Sequence, residues 1–400
     1  MRHKTNTERN EFMTRLNQKW LHRLLLMAIL GLLGKQALVL QRLDRETAVQ
    51  PASTRPPLES KVFDGVHSRP FPTWQQSRGS IPLPCFDPTD GLDLNWNDKR
   101  RIQKKPASQG LFYLKLLKTA SSTAASVHLR IAHNLARNHP YPICRVRYLH
   151  GWAGPRMFHY NDRDRAASWL WTLVRDPKAR LLSEFYHFDV SRQNQTDFRT
   201  FLRTNKHMDH HSLSWLSPTG YRFGKSRPIP TANAILKDYD FIGVTERFDE
   251  SIVVLMLLLD LTLADILYVT AKASGGWDDG EFQNRCFHIL PTVKTPEMTA
   301  YFNSFEWQVY ARPEVALHQA ANHSLDLTIA QLGRPRVERL VQQLRRAGTI
   351  VSERCRHVRL PCSSTGEKRE ETDCLSADMG CGFECLDQVA TELGLWTKPA

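Results

Sequence analysis

The sequence lacks several patterns that would assign a common function directly. It has no internal repeat, which excludes repeat architectures, and no recognition motif for nucleic acid accompanies its basic composition. Its eight cysteines do not form the C-x-x-C pairs of a zinc ribbon, and no group of carboxylates or histidines has the spacing of metal ligands. These absences disfavour a nucleic-acid-binding protein and a metal centre.

The sequence has few long apolar runs. The one that stands out spans residues 24–40 and is interrupted by Lys35 and Gln36. A helix of this length would reach about 25 Å. A basic excess in residues 1–23 precedes it, and no small-residue cleavage site follows it. We therefore interpret the run as a retained signal anchor, with residues 1–23 in the cytosol and the rest of the chain in the lumen. A buried helix of a soluble protein is the alternative.

Composition divides the remainder of the chain. Residues 41–80 contain proline, arginine and serine without an apolar period, and we interpret them as an extended stem. We expect a lumenal catalytic domain over residues 81–347 and a cysteine-rich extension over residues 348–400. Sequons at Asn194 and Asn322 are consistent with lumenal exposure.

Five of the eight cysteines lie in the extension, and disulfides are the favoured interpretation of them. Because five is odd, at least one must stay free or pair with Cys85, Cys144 or Cys286. The sequence does not choose the partner. The five are Cys355, Cys362, Cys374, Cys381 and Cys385.

The charge balance favours anionic ligands. Basic side chains exceed acidic ones by 54 to 41, which gives a formal charge of +13 spread along the chain. A basic lumenal surface suits a nucleotide with several phosphates and an acidic glycan.

A hydroxyl-rich turn with one lysine follows an apolar strand and opens an amphipathic helix. It reads K-T-A-S-S-T and has none of the glycines of G-x-x-x-x-G-K-[ST], so a P-loop is not indicated. Free N–H groups and the helix dipole favour an anion at such a helix start, and the lysine adds a full charge. A capped helix without a ligand is the structural alternative. The candidate anion-binding residues are Lys118, Thr119, Ala120, Ser121, Ser122 and Thr123.

A second strand-to-helix junction carries Arg175, Asp176 and Pro177. Asp176 suits the N-cap and Pro177 the first helical position. Pairing of the arginine with the neighbouring aspartate would be a purely structural explanation. The planar guanidinium of arginine also binds two phosphate oxygens at once, and Ser183 follows eight residues later. Arg175 and Ser183 are therefore candidates for a second phosphate.

Together the two junctions resemble the nucleotide-binding motifs of the Golgi carbohydrate sulfotransferases, which use 3′-phosphoadenosine-5′-phosphosulfate (PAPS). Residues 118–123 match the 5′-phosphosulfate loop of that family, and Arg175 and Ser183 fall on its 3′-phosphate positions. Residues 240–251, which include F-D-E-S, are similar to a later strand and helix start, although a structural role alone also explains them. The K-T-A-S-S-T and F-D-E-S segments look most like the galactose 3-O- and uronyl 2-O-sulfotransferase branches. The resemblance covers roughly residues 110–335.

The resemblance implies a type II Golgi membrane protein that transfers a sulfuryl group from PAPS to a glycan hydroxyl without a metal. In this role Lys118 would stabilise the departing phosphate, and Arg175 with Ser183 would hold the 3′-phosphate. The acceptor sugar and the oligomeric state stay open.

A proton acceptor for the acceptor hydroxyl is also required. His150 closes a predicted strand at the same sheet edge, and related enzymes place a histidine after this strand. We expect His150 to be the base. His159 and the adjacent pair His210 and His211 are the rivals.

Apolar strands alternate with amphipathic helices along the chain, which predicts an α/β fold whose central parallel sheet has helices on both faces. The resemblance implies the same fold, related to the nucleotide kinases. Both candidate motifs follow strands and would meet at the carboxyl edge of the sheet. The strands are predicted at 111–116, 145–149, 169–174 and 241–245, and the helices at 122–137, 177–189, 249–260, 296–311, 313–321 and 335–347.

Two other functions fit the same features. The chain could be a lumenal glycan-binding pseudoenzyme that keeps the fold without turnover, or a lumenal kinase that uses ATP. Labelling of a polysaccharide by PAPS separates the first from an enzyme, and Mg²⁺ dependence would identify the second.

Overall fold

The structure is a computed structural model that describes residues 62–63, 65–80, 83, 110–138, 147–150, 163–204, 211–216, 231–278 and 285–399. All of these lie in one compact unit, Leu58–Ala400. The predicted cytosolic tail, the signal anchor and most of the stem lie outside the described residues. Within the described part, no helix has the length and hydropathy that a membrane span requires.

A four-stranded parallel sheet forms the centre of the unit. Its strands are β3 (Gly110–Lys115), β4 (Arg147–His150), β5 (Ser168–Val174) and β6 (Phe241–Val244), in the spatial order β4-β3-β5-β6. Every residue of β3 and β5 is buried. Continuous apolar runs of this kind are typical of inner strands that helices cover. The predicted α/β class and the parallel sheet are thus confirmed.

Three short antiparallel pairs accompany the sheet: β1 (Val62–Phe63) with β2 (Val66–His67), β7 (Trp277–Asp278) with β8 (Phe287–His288), and β9 (Cys374–Ser376) with β10 (Met379–Cys381). A π-helix, Phe185–Val190, joins α3 to α4. The helices are α1 (Trp74–Arg78), α2 (Ser121–Asn138), α3 (Pro177–Glu184), α4 (Ser191–Gln193), α5 (Phe198–Thr204), α6 (His211–Leu216), α7 (Ala232–Asp238), α8 (Phe248–Leu258), α9 (Pro296–Phe302), α10 (Phe305–Leu332), α11 (Arg334–Arg354) and α12 (Phe383–Glu392).

The predicted helices 296–311 and 313–321 need correction. The structure ends α9 at Phe302 and starts α10 at Phe305, with Ser304 as N-cap, and Pro313 lies inside α10 instead of opening a new helix. Pro313 lacks the N–H that would bond to the carbonyl of Val309. Because Val309 is exposed, water can satisfy that carbonyl and the helix continues.

Ser251 of the F-D-E-S segment connects α8 to β6 through hydrogen bonds. The Ser251 hydroxyl accepts from the Val244 N–H at 2.9 Å and lies 3.1 Å from the Val244 carbonyl oxygen. A Cβ on Gly243 would come within 2.6 Å of Leu173 and 2.8 Å of Ser251, so only glycine fits this crossing without a shift. These contacts give the segment a structural role.

The cysteine-rich extension belongs to the same core as the sheet. Helix α11 crosses the predicted boundary at residue 347, and Met379, Leu386 and Val389 are buried in the main hydrophobic cluster. Three disulfides connect this region: Cys286–Cys362, Cys355–Cys385 and Cys374–Cys381. Disulfide bonding is therefore confirmed, and Cys286 is the outside partner. Cys85 and Cys144 lie outside the described residues.

Candidate anion-binding site

The two predicted motifs meet where the connections of the sheet change direction. From β3 the chain proceeds to β4 on one side, and from β5 it proceeds to β6 on the other. In open α/β sheets, this reversal leaves a crevice at the carboxyl ends of the two strands between which it occurs, and ligands bind there. The lysine turn follows β3 and Arg175 follows β5, so both lie at this crevice.

A direct contact joins the two motifs. Arg175 donates from a terminal guanidinium nitrogen to the main-chain oxygen of Lys118 at 3.0 Å. Its Nε also lies 3.9 Å from Oε1 of Glu246, which in turn accepts from the Asp176 N–H at 3.0 Å. Glu246 therefore orients the arginine junction from β6. Sequence analysis did not select Glu246, because its only signal was a position just after a strand.

The lysine turn adopts backbone angles that usually require glycine. Lys118 has a φ of 62° and Ala120 a φ of 54°, both in the left-handed region. Alternation between left- and right-handed residues directs successive N–H groups inward as an anion-binding nest. Non-glycine residues in this region cost of order 1–3 kcal/mol each and concentrate at functional sites. Two residues of the glycine-free turn thus have left-handed φ angles, and we interpret the turn as a candidate anion-binding nest.

The hydroxyl groups of the turn divide into structural and free ones. Thr119 is buried and donates to the Leu116 carbonyl at 3.1 Å, and Thr123 accepts from the Ala271 N–H at 3.2 Å. Ser121 and Ser122 are each 8% exposed, and their hydroxyls make no hydrogen bond within the described part of the chain. Two nearly buried donors at the start of α2 are therefore available to a ligand.

The Lys118 ammonium lies 5.8 Å from the centre of the Phe188 ring. Burial, followed by the nearby charge of Lys272, lowers the pKa of Lys118 to about 7, although Asp278 and Glu184 act in the opposite direction. Among the described residues, the Lys118 ammonium has no ion-pair or hydrogen-bond partner. Its charge is consequently available to an anion.

The Arg-Asp-Pro junction folds as the sequence predicts. The Asp176 carboxylate caps α3 by accepting from the Ala179 N–H at 2.9 Å, and Pro177 is the first helical residue. Ser183 is half-buried on α3, and in the region the structure covers its hydroxyl has no hydrogen-bond partner. Burial lowers the pKa of Arg175, while Glu246 and Asp176 counteract that effect. Arg175 contacts the lysine turn directly, whereas Ser183 shares only the helix that follows.

A group of charged residues beside Lys118 was missed by sequence analysis. Asp278 is fully buried and contacts three basic side chains: His187 Nε2 at 2.9 Å, Lys272 Nζ at 3.2 Å and the Arg192 guanidinium. We call these four residues the Asp278 cluster. They come from the π-helix, α4, the loop after Leu267 and β7. No spacing in the sequence links such distant positions.

Burial lowers the pKa of His187 to about 4, with Lys118 and Arg192 contributing, although Asp278 opposes the shift. His187 is therefore neutral at physiological pH, and its Nδ1 is buried without a hydrogen-bond partner among the residues that the structure describes.

The predicted base is placed at the same rim by its backbone. In the parallel register of β3 and β4, His150 is opposite Lys115, the last residue of β3. Of the rival bases, His211 is buried on α6 with its ring 5.4 Å from that of Trp215. His159 and His210 lie outside the described residues.

Over the part of the chain that the structure describes, no group of three or more His, Cys, Asp or Glu side chains could hold a metal ion. Comparison with protein-family models, with curated proteins and with solved structures finds no match for this chain. The function is therefore argued from the geometry of the site.

Proposed function

We propose that this protein is a carbohydrate sulfotransferase that transfers a sulfuryl group from PAPS to a hydroxyl of a glycan in the Golgi lumen. The observation that carries the proposal is the 3.0 Å hydrogen bond from Arg175 to the Lys118 main chain at the crevice of the sheet. Two anion-binding elements in contact suit a ligand with a phosphate at each end of one nucleoside.

Different residues of the proposed site bind the 5′ end and the 3′ end of the nucleotide. The nest of the lysine turn, the Ser121 and Ser122 hydroxyls and the Lys118 ammonium bind the 5′-phosphosulfate. Arg175 and Ser183 bind the 3′-phosphate and fix the nucleotide in register, away from the reacting sulfur. Thr119 and Thr123 shape the turn through their hydrogen bonds.

The transfer step needs charge stabilisation and a base. An acceptor oxygen forms a bond to sulfur while the bond between sulfur and the bridging 5′-phosphate oxygen breaks, and the electron pair stays on the phosphate. Lys118 and the N–H groups stabilise that charge where it develops. The proton of the acceptor hydroxyl passes to a base, for which we retain His150 because its backbone lies at the same rim.

Nucleotide preference tests the proposal directly. Calorimetric titration of the full-length protein in detergent should give tighter binding of 3′,5′-ADP than of 5′-AMP or ATP, by at least about tenfold, because only 3′,5′-ADP engages both elements. Equal binding of the three, or Mg²⁺-dependent preference for ATP, would overturn it. Transfer of labelled sulfate from PAPS to a polysaccharide then separates an enzyme from a glycan-binding pseudoenzyme with the same nucleotide preference.

A further inference from the structure

The loop that carries Lys272 is fixed to the first turn of α2. The Ala271 N–H donates to the Thr123 hydroxyl at 3.2 Å, so the next residue along this loop starts at the anion-binding end of the helix. Lys272 itself has a φ of 51°, in the left-handed region. A non-glycine residue keeps this conformation only where its surroundings over-determine it, and such positions concentrate at functional sites.

Two carboxylates hold the Lys272 ammonium. Its Nζ lies 3.2 Å from Oδ1 of Asp278 and 3.5 Å from Oδ2 of Asp378. Asp278 also contacts His187 and Arg192 and is fully buried. A buried ion pair contributes little net stability after desolvation, so stability alone does not explain such an arrangement. A requirement to fix the position of the Lys272 ammonium does explain the arrangement.

The charges around Lys118 favour the binding of an anion. The charge of Lys272 acts on Lys118 more strongly than any other nearby charge and lowers its pKa, whereas Asp278 and Glu184 raise it, and His187 is neutral. Lys118 and Lys272 repel each other across a poorly solvated space, and an anion bound beside both removes that repulsion. Ser121 and Ser122 are each 8% exposed, and their hydroxyls have no hydrogen-bond partner among the described residues, which is a second and independent indication of a ligand here.

We propose that Lys272 is a second anion-binding residue of this site, which contacts the 5′ end of the nucleotide together with Lys118, and that Asp278 positions it. This inference rests on the proposed function and deepens it. Two ammonium groups at the 5′ end bind the 5′-phosphate and stabilise the charge that the departing phosphate gains. Arg175 and Ser183 at the 3′ end are unaffected by Lys272.

Two ligands that differ only at the 5′ end test this assignment. Binding of 3′,5′-ADP and of adenosine 3′-monophosphate to the full-length protein is measured by calorimetry for wild type, Lys272→Gln and Arg175→Ala. Lys272→Gln should weaken 3′,5′-ADP about tenfold and leave adenosine 3′-monophosphate unchanged, whereas Arg175→Ala should weaken both. Lys398→Gln, which breaks an exposed lysine pair with Asp260, is the matched control and should change neither.

The results of these titrations distinguish failure of the Lys272 assignment from failure of the proposed sulfotransferase function. If wild type prefers 3′,5′-ADP over 5′-AMP and Lys272→Gln binds both test ligands as wild type does, Lys272 has no ligand role and the proposed function stands. If Lys272→Gln weakens both ligands equally, its role is structural and the inference fails. If wild type shows no preference for 3′,5′-ADP, both proposals fail.

A measurement on the wild-type protein covers the case in which Lys272→Gln does not fold. Lysine acylation by an amine-reactive reagent is quantified by mass spectrometry with and without each ligand. 3′,5′-ADP should protect Lys272 and Lys118, adenosine 3′-monophosphate should protect neither, and Lys398 should react equally throughout. Unchanged acylation of Lys272 in the presence of 3′,5′-ADP, together with protection of Lys118, would overturn the inference.

Discussion

Lys118 combines two properties that are unusual for a lysine: a left-handed backbone and an ammonium without a partner in the described residues. Neither stabilises the free protein, since the backbone is strained and the charge is poorly solvated. An anion bound at the start of α2 compensates for the poor solvation of the Lys118 charge. The residue therefore carries two predictions.

Lys118→Ala should reduce sulfuryl transfer about 100-fold or more and leave the fold intact. The substitution removes charge stabilisation of the departing phosphate but breaks no ion pair within the described residues. Transfer rates from labelled PAPS, with a thermal unfolding curve for each protein, check this. Arg199→Ala, which breaks an exposed pair with Glu297, is the control. Activity of Lys118→Ala near wild type would remove the lysine from its role.

The affinity for 3′,5′-ADP should fall as the pH rises above about 7. Lys118 has a lowered pKa of about 7, so its anion-binding, protonated form is present below that pH and is lost above it. With one proton taken up on binding, the loss is about tenfold per pH unit. Calorimetry across pH 6 to 9 measures this slope. In Lys118→Ala the slope should be absent, and persistence of the full slope in that variant would contradict the assignment.

Arg175 is held by two different elements, the lysine turn and Glu246 of the β6 end. Arg175→Ala should weaken 3′,5′-ADP between about 10- and 100-fold, because a charge-assisted phosphate contact contributes roughly 1.5–3 kcal/mol. Affinity for 5′-AMP, which has no 3′-phosphate, should change much less. Equal losses for both nucleotides by calorimetry would show that the arginine only shapes the turn.

At the scale of elements, a change of helix type brings distant charges to the site. The predicted helix 177–189 is an α-helix to Glu184 and a π-helix from Phe185 to Val190. The wider turn sets the directions of His187 and Phe188, and π-helical turns are frequent at functional sites. The amphipathic period of the sequence predicted the helix but not the change to a π-helix after Glu184.

The two sequons differ in the elements that carry them. Asn194 is exposed in the left-handed turn that ends α4, whereas Asn322 lies inside α10, accepts from Arg247 at 2.9 Å and is followed by the fully buried Ser324. When the chain is expressed through the secretory pathway, a glycan should be found on Asn194 and not on Asn322. Glycosidase shifts of Asn194→Gln and Asn322→Gln check this. A shift that disappears only in Asn322→Gln would contradict it.

At the scale of the whole molecule, the cysteine-rich extension contacts residues that surround the candidate site. Gly380 donates to the Ser126 hydroxyl of α2 at 3.1 Å, and Asp378 contacts Lys272. The Cys286–Cys362 disulfide joins this region to the start of β8, which pairs with β7, the strand that carries Asp278. The extension therefore supports the anion-binding residues in addition to the core.

Loss of the Cys286–Cys362 disulfide should destabilise the fold more than loss of Cys374–Cys381. The sequence separations are 76 and 7 residues, and loop-closure entropy assigns roughly 4 and roughly 2 kcal/mol to loops of these lengths. Denaturant unfolding of the two double Cys→Ser variants gives the comparison. A larger loss for the shorter loop would show that local strain or packing dominates the chain-entropy effect.

The sequence by itself determined the elements that depend on local chemistry. Apolar strands before Lys118 and Arg175, the Asp176 cap and the Pro177 start set the strand-to-helix junctions, because period, capping and backbone propensity act within a few residues. It also indicated disulfides, since eight cysteines without ligand spacing leave few alternatives.

Only the tertiary structure decided which of these pieces meet. The order β4-β3-β5-β6 places the lysine turn beside Arg175, and long-range packing assembles the Asp278 cluster and pairs Cys362 with Cys286. These outcomes depend on contacts between residues tens to hundreds of positions apart. Side-chain period and turn chemistry carry no information at that distance, because burial and charge pairing are set by the completed fold.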